Sequence, residues 1–191
     1  KNRLATKVKK LGVIINPIAG IGGKVALKGS DGSNIQSRAK ALGATALSPL
    51  KSMEALKGLT DIKDQVEIIT YPNEMGENEA LQCGLNPTVI GSVIGNRTTG
   101  KDTWQAARDM EKLGVDLLLF AGGDGTARDI CDAIGQRITT VGIPTGVKIY
   151  SGVFAITPHR AGLLASLYLK DQVSTLSQIF SSDPAILSSL A

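Results

Sequence analysis

Residues 117–126 read Leu-Leu-Leu-Phe-Ala-Gly-Gly-Asp-Gly-Thr, and this stretch decides the fold class. An apolar run without polar alternation is typical of a strand that is buried on both faces. Three glycines and one aspartate then interrupt the run, which indicates a tight turn, and a helical pattern follows from 126 to 134. A buried strand that leads through such a turn into a helix is the repeating unit of parallel α/β proteins.

The same unit recurs along the chain. Short apolar runs that end at Gly, Pro or Asn predict strands at 11–15, 66–70, 88–94, 115–120 and 139–143. Helical patterns predict helices at 48–59, 77–83, 102–113, 126–134 and 158–169. Ser48 is predicted to cap the first of these, with Pro49 at the first helical position, and Gly114 and Gly135 close two others. Strands that alternate with helices predict an α/β fold with a three-layer, doubly wound, mostly parallel sheet.

Composition excludes several classes of protein. At 191 residues, with 42% hydrophobic residues, the chain is sized for one packed domain with an appendage. A net charge of +4 with dispersed basic residues, and only 4% aromatic residues, argue against a nucleic-acid-binding protein. No run is long enough to predict a membrane span. Cys83 and Cys131 are far apart, so we expect two buried, reduced thiols and a cytoplasmic protein.

The glycine-rich turn has the composition of a phosphate site. Glycines let the backbone approach a polyphosphate closely, and the N-terminus of the following helix offers N–H groups and a positive dipole end. Phosphates would repel the carboxylate of Asp124, unless it contacts magnesium or takes a proton from an attacking hydroxyl. The alternative is a simple strand-to-helix turn in which Asp124 or Thr126 caps the helix.

Two more glycine-rich segments follow predicted strands. Because the carboxyl ends of parallel strands share one edge, ligands gather there. Neither segment matches a Walker A loop or a dinucleotide-binding fingerprint, and each by itself is also compatible with an ordinary loop. The candidates for phosphate binding in them are Asn16, Gly20, Gly22, Gly23, Thr145, Gly146 and Lys148.

Together the three segments resemble a known superfamily, that of NAD kinases, diacylglycerol-type lipid kinases and phosphofructokinases, which share the Gly-Gly-Asp-Gly-Thr loop. The sequence is most similar to the ATP-NAD kinase-like family that includes the acetoin-catabolism X protein. The similarity covers residues 11–170 and rests on Asn-Pro-Ile-Ala-Gly-Ile-Gly-Gly from residue 16, Phe-Ala-Gly-Gly-Asp-Gly-Thr-Ala-Arg-Asp from 120, and Gly-Ile-Pro-Thr-Gly-Val-Lys-Ile-Tyr-Ser-Gly-Val-Phe-Ala from 142.

The resemblance implies roles for the matching residues. Asp124 matches the acid that activates the acceptor hydroxyl, and Asn16 matches the Asn-Pro element. It also implies ATP and Mg²⁺ as cofactors, with no set of metal-ligating side chains assigned, and a homo-oligomer. The phosphate cradle matches Gly122, Gly123, Gly125 and Thr126.

The sequence departs from the family in two ways. NAD kinases carry an Asn-Glu pair after the glycine-rich loop, whereas nothing after Thr126 reads Asn-Glu. The β-rich C-terminal domain of the family is also not recognisable. We therefore expect an ATP-binding α/β kinase domain over 1–170, Rossmann-like in type, and a helical tail or a remnant of the C-terminal region over 171–191.

The expected function is transfer of phosphate from ATP to a small-molecule hydroxyl, with the 2′-hydroxyl of NAD favoured. A lipid, sugar or acetoin-related acceptor, or a non-catalytic nucleotide-binding regulator, are the alternatives. Residues after two strand ends could line the acceptor pocket, although ordinary packing or helix capping would explain them equally well. These residues are Tyr71, Glu74, Met75, Thr98 and Thr99.

Overall fold

The sheet is parallel throughout. The structure, a computed structural model, describes residues 7–21, 46–95, 97–146 and 149–173. Within these residues the sheet has five strands in the order β3-β2-β1-β4-β5. Every neighbouring pair is parallel. The strands are β1 (Lys9–Ile15), β2 (Val66–Thr70), β3 (Thr88–Val89), β4 (Leu117–Gly122) and β5 (Thr139–Pro144).

Helices cover both faces of this sheet. One apolar cluster joins Val13, Ile15 and Leu119 to α1, α2 and α5, and the other joins Ile14 and Phe120 to α3 and α4. Successive residues of β1 and β4 thus point into different cores, which is why their sequences are continuously apolar. The predicted three-layer, doubly wound α/β fold is confirmed. The helices are α1 (Ser48–Leu56), α2 (Glu77–Gln82), α3 (Gly100–Lys112), α4 (Asp124–Ile134) and α5 (Pro158–Leu169), with 3₁₀ turns at Lys57–Leu59 and Asn73–Met75.

The strand order creates a switch point between β1 and β4. From β1 the chain moves outward to β2 and β3, and then returns to β4 on the other side of β1. The register pairs Ile15 with Ala121, and Ala121 with Ile143, so the ends of β1, β4 and β5 are level. Connections that leave neighbouring strands in opposite directions open a crevice at their carboxyl ends, and this is where ligands bind in such sheets.

Most predicted elements are confirmed within two residues, but the strand predicted at 88–94 is wrong beyond Val89. Gly91 has a φ of +69°, and a Cβ there would lie 2.3 Å from Cζ of Tyr71. The chain therefore turns over the tyrosine ring instead of continuing along β2. The isoleucine and valine residues that suggested a longer strand lie in this turn.

Two helix starts also differ from the prediction. Leu47, not Ser48, is the N-cap of α1, and the amide of Ser48 donates to the carbonyl oxygen of Ala19 at 3.3 Å. Helix α4 begins at Asp124, two residues earlier than predicted, so Asp124 and Gly125 belong to its first turn. The predicted caps Gly114 and Gly135 are confirmed, with φ of +66° and +56°.

The prediction of two buried thiols is wrong for Cys131. Cys131 lies on the outer side of α4 and is exposed, because Ala127, Ile130 and Ile134 occupy the inner face of this helix. Cys83 is partly buried directly after α2, and burial raises the pKa of its thiol.

No helix within the described residues is long and apolar enough to cross a membrane. Of the predicted tail 171–191, residues from 174 onward lie outside the described residues.

Helix α5 approaches α1 at a glycine contact. A Cβ on Gly162 of α5 would lie 2.0 Å from the carbonyl oxygen of Ala55, and one on Gly58 would lie 3.2 Å from the carbonyl carbon of Gly162. Both obstacles are backbone atoms, which cannot rotate away. The two helices therefore pack at a distance that only glycine at position 162 permits.

Gly162→Ala should destabilise the protein, although alanine normally favours a helix by about 1 kcal/mol. Because the new methyl group would force α5 away from α1, we expect a loss of about 1–3 kcal/mol in the free energy of unfolding, measured by urea denaturation. Gly152→Ala is the control, since a Cβ at Gly152 lies within 4 Å of no atom in the part of the chain that the structure describes. Equal stability of the Gly162→Ala variant and the parent would contradict this packing.

Candidate functional site

The three glycine-rich segments meet at the carboxyl edge of the sheet. Asn16 directly follows β1, and its amide N–H donates to the carbonyl oxygen of Ala121 at 2.9 Å. Its side chain crosses to α4, where Nδ2 donates to Oγ1 of Thr126 at 3.0 Å, while Oδ1 accepts from the amide of Ile18 at 3.2 Å. Asn16 therefore joins the end of β1 to the end of β4 through its backbone and to the first turn of α4 through its side chain.

The third segment is tied to the other two. Oγ1 of Thr145 donates to the carbonyl oxygen of Gly122 at 2.8 Å. Gly20 has a φ of +78°, and a Cβ there would lie 2.4 Å from the carbonyl oxygen of Thr145. The segment after β1 therefore passes over the end of β4 and reaches the end of β5. Because Thr126 and Thr145 are buried and their hydroxyls are bonded within the protein, they hold the segments together.

The turn between β4 and α4 leaves backbone donors without helical partners. A Cβ on Gly122 would lie 2.3 Å from Oγ1 of Thr126, so this glycine lets the helix begin directly against the strand. A Cβ on Gly123 would meet no atom of the described residues within 4 Å, so no described side chain fills the adjoining space. The first backbone bond of the helix runs from the amide of Ala127 to the carbonyl oxygen of Gly123 at 3.0 Å. The amides of residues 124–126 thus have no partner inside α4 and suit a phosphate.

The carboxylate of Asp124 contacts the chain beyond β5. Its Oδ1 accepts from the amides of Ser151 at 3.0 Å and Tyr150 at 3.3 Å, and its Oδ2 accepts from the amide of Tyr150 at 3.0 Å. Asp124 is the first residue of α4 and does not serve as its N-cap, which is Gly123. The side chain therefore binds a separate segment, which neither capping nor an ordinary turn requires.

Residues 149–154, here called the return segment, lead back to β5. The amide of Gly142 donates to the carbonyl oxygen of Val153 at 2.9 Å. The amide of Ala155 donates to the carbonyl oxygen of Gly142 at 3.0 Å. A Cβ on Gly142 would lie 2.5 Å from Cδ1 of Phe154, whose ring also packs edge-to-face on Phe120 at 5.2 Å between centroids. Phe154 therefore anchors the end of the return segment in the core.

The return segment is the part of the site that the sequence analysis did not assign. The segment that resembles the kinase family contains Tyr150, Ser151 and Phe154, but their residue types did not indicate a role for them. Tyr150 and Ser151 contact Asp124 through their backbone amides, and a sequence does not indicate which amides will donate to a carboxylate.

The structure brings together most of the predicted phosphate-binding residues. Asn16, Gly20, Gly122, Thr126 and Thr145 contact one another as described. Gly123 and Gly125 lie in the turn and the first turn of α4, and Gly146 follows Thr145. Gly22, Gly23 and Lys148 lie outside the described residues. The phosphate-binding role of all these residues stays a prediction.

Two of the five residues predicted to line the acceptor pocket are core residues. Tyr71 is 1% exposed and Met75 is fully buried. The hydroxyl of Tyr71 donates to Oδ2 of Asp109 at 2.5 Å. Burial, and then this contact with Asp109, raise the pKa of Tyr71 well above its usual range. The geometry favours packing for both residues, which was the other interpretation of this segment.

The remaining three residues lie nearer the surface. Glu74 is exposed and Thr98 is partly buried. Thr99 is the N-cap of α3, and its amide and hydroxyl donate to Oδ2 of Asp102 at 2.7 and 2.9 Å. For Thr99 the geometry thus favours helix capping, while an acceptor contact by Glu74 or Thr98 stays a prediction.

A buried carboxyl group lies on α2. Glu79 is 4% exposed, and its Oε2 has no hydrogen-bond partner within the described part of the chain. Burial raises the pKa of Glu79 to about 7, its own backbone N–H partly opposes this shift, and the nearby charge of Glu74 adds to it. A buried carboxyl with one oxygen unpartnered is more stable when protonated.

The described residues contain no group of three or more His, Cys, Asp or Glu side chains that could hold a metal ion.

The fold defines this part of the chain as a doubly wound, parallel α/β domain. A family model described as the ATP-NAD kinase N-terminal domain matches residues 12–173, which is most of the chain. The chain belongs to this family, and the resemblance inferred from the three glycine-rich segments is confirmed.

Individual proteins are less similar to this chain than the family model is. No curated protein matches the chain. Among solved structures, a putative diacylglycerol kinase from Bacillus anthracis str. Sterne is similar at 18% identity, with a TM-score of 0.44 over 87% of this chain. The chain spans 42% of the length of that protein.

Gly142→Ala and Phe154→Ala should show strong coupling in a double-mutant cycle. The atoms nearest to a Cβ at Gly142 belong to the ring of Phe154. We expect Gly142→Ala to cost about 1–3 kcal/mol in the free energy of unfolding by overpacking, and Phe154→Ala about 3–5 kcal/mol. The double variant should lose clearly less than the sum, since removal of the ring makes room for the methyl group. Additive losses in urea denaturation would show that the ring does not anchor the return segment.

Stability should fall as pH rises if Glu79 is buried in its protonated form. Its pKa in the folded protein, about 7, exceeds the usual value of 4.5, so the folded state binds more protons between these values. The stability present below pH 4.5 is then lost as pH rises through 7, by about 3 kcal/mol in total. Glu79→Gln should remove this part of the pH dependence in urea denaturation.

Glu54→Gln is the matched control, because Glu54 is exposed on α1 and the same charge is removed. It should keep the parent's pH profile. Identical profiles for the parent and the Glu79→Gln variant would mean that Glu79 ionises in the folded protein as it does in water.

Proposed function

We propose that this chain binds ATP and belongs to an enzyme that transfers the terminal phosphate to a hydroxyl group of a small molecule. The observation that carries the proposal is the convergence of three glycine-rich strand ends, together with one carboxylate, at the switch point of a doubly wound sheet. Structural turns alone would not require Asn16 and Thr145 to converge on a single strand-to-helix junction. Membership of the ATP-NAD kinase family supports ATP as the donor.

In this proposal the phosphates bind at the start of α4. The amides of residues 124–126 have no helical partner, and the helix dipole adds a partial positive charge at the same point. The absence of a side chain at Gly123 gives a phosphate access to these amides. Asn16, Thr126 and Thr145 act indirectly, since they fix the segments that form the cradle.

Asp124 is the proposed general base. A carboxylate oxygen carries two lone pairs, and Oδ2 of Asp124 accepts one hydrogen bond within the described structure, from Tyr150. The second lone pair is available to the proton of an acceptor hydroxyl. Mg²⁺ would be held chiefly by the phosphates, whose charge it would neutralise.

The 2′-hydroxyl of NAD is the favoured acceptor, in line with the family to which the chain belongs. The missing Asn-Glu pair after Thr126 favours a second possibility, in which the same machinery acts on a hydroxyl of a lipid, a sugar or a small keto-alcohol. A nucleotide-binding regulator without catalysis is the candidate from another class. We also propose that the protein is cytoplasmic and forms a homo-oligomer.

The protein encoded by the gene should form NADP from NAD, ATP and Mg²⁺ in a coupled assay. Asp124→Asn should lower kcat by about 10² to 10⁴-fold, because the amide cannot accept the proton. Asp132→Asn is the control with the same charge change, since Asp132 is exposed on the same helix, and it should keep full activity.

Binding of ATP without NADP formation would remove NAD as the acceptor, and assays with lipid, sugar and keto-alcohol acceptors would then decide between another kinase and a regulator. Full activity of the Asp124→Asn variant would remove the general-base assignment.

A further inference from the structure

The contact between Asp124 and the return segment has a consequence for nucleotide binding. We propose that Asp124 is also a positioning residue, whose carboxylate latches the return segment over the start of α4 and thereby shapes the phosphate cradle. The effect on nucleotide affinity rests on the proposed function, whereas the latch itself does not.

Ile149 and Val153 of the return segment pack against the apolar core, whereas Tyr150 and Ser151 between them do not. Its end is fixed to β5 by the backbone pairing of Gly142 and by burial of Phe154. Tyr150, in contrast, is 82% exposed, and Ser151 is exposed as well, so burial of their side chains cannot fix the chain here. The two backbone amides that donate to Asp124 supply the fixed contact at this point.

The latch also explains how a carboxylate lies beside a phosphate site. Hydrogen bonds between a charged group and amide donors are stronger than neutral ones, and they offset part of the negative charge. Oδ1 accepts two amides, whereas Oδ2 accepts one. The carboxylate can therefore hold the return segment through Oδ1 and still offer a lone pair of Oδ2 to an acceptor hydroxyl.

Two substitutions separate the atoms of the latch. In Asp124→Asn the oxygen can replace Oδ1 and keep Ser151 and the longer contact with Tyr150. The shorter contact of Tyr150 is lost, because the amino group in place of Oδ2 is also a donor. Asp124→Ala removes both acceptors. Hydrogen exchange of single amides in the nucleotide-free protein should therefore become about tenfold faster at Tyr150 alone in the Asn variant, and at both residues in the Ala variant.

Asp132→Asn should leave both exchange rates unchanged. A change confined to residues 150 and 151, with unchanged exchange in β4 and β5, shows that the variants remain folded. If neither amide exchanges faster in the Asp124→Ala variant, no latch exists, whatever the activity assay shows.

Nucleotide affinity then tests the positioning role. Removal of a negative charge beside phosphates should by itself tighten the binding of a non-hydrolysable ATP analogue. Loss of the latch should instead weaken it, and we expect the Kd of the Asp124→Ala variant, in which both acceptors are removed, to rise about three- to tenfold in calorimetry with Mg²⁺. An unchanged or lower Kd would overturn the positioning role. If the parent itself does not bind the analogue, the proposed function fails, while the exchange experiment still decides on the latch.

Discussion

The side chain of Thr126 occupies the space into which a Cβ of Gly122 would project, and the architecture of the site depends on this contact. It lets α4 begin directly at the end of β4, so that the first amides of the helix lie at the edge of the sheet. It also brings the hydroxyl of Thr126 within reach of Asn16, which joins β1 to the same point. A side chain at position 122 would separate strand, helix and neighbouring strand at once.

The buried threonines and Gly123 have different tasks in this arrangement. Thr126 and Thr145 bond to Asn16 and to the carbonyl oxygen of Gly122, and so satisfy polar groups that burial would otherwise leave without partners. Gly123 contributes open space and a free approach to the backbone. An anion site requires backbone donors that rigid contacts already hold in place. Such donors lose little conformational freedom when the anion binds.

The sequence predicted the sheet well where burial on both faces left a clear pattern, as in β4 and β1. It failed at 88–94, because an apolar run at the edge of a sheet does not reveal where the chain turns. That turn depends on Gly91 above the ring of Tyr71, a contact between residues from different segments. The candidate site was predicted through its glycines, whereas the partners of Asp124 could not be, since they are backbone amides that every residue type except proline carries.

From the sequence we could infer the order of strands and helices along the chain, the three glycine-rich strand ends and the family. These follow from local patterns, because apolar runs, glycines and one carboxylate have the same meaning wherever the chain places them. Three features could be seen only in the tertiary structure. The three glycine-rich strand ends meet at the β1–β4 switch point, and Tyr71 and Met75 pack in the core. The carboxylate of Asp124 accepts hydrogen bonds from the return segment. The physical reason is that these contacts join residues distant in sequence, and their geometry is set by the register and packing of the whole sheet.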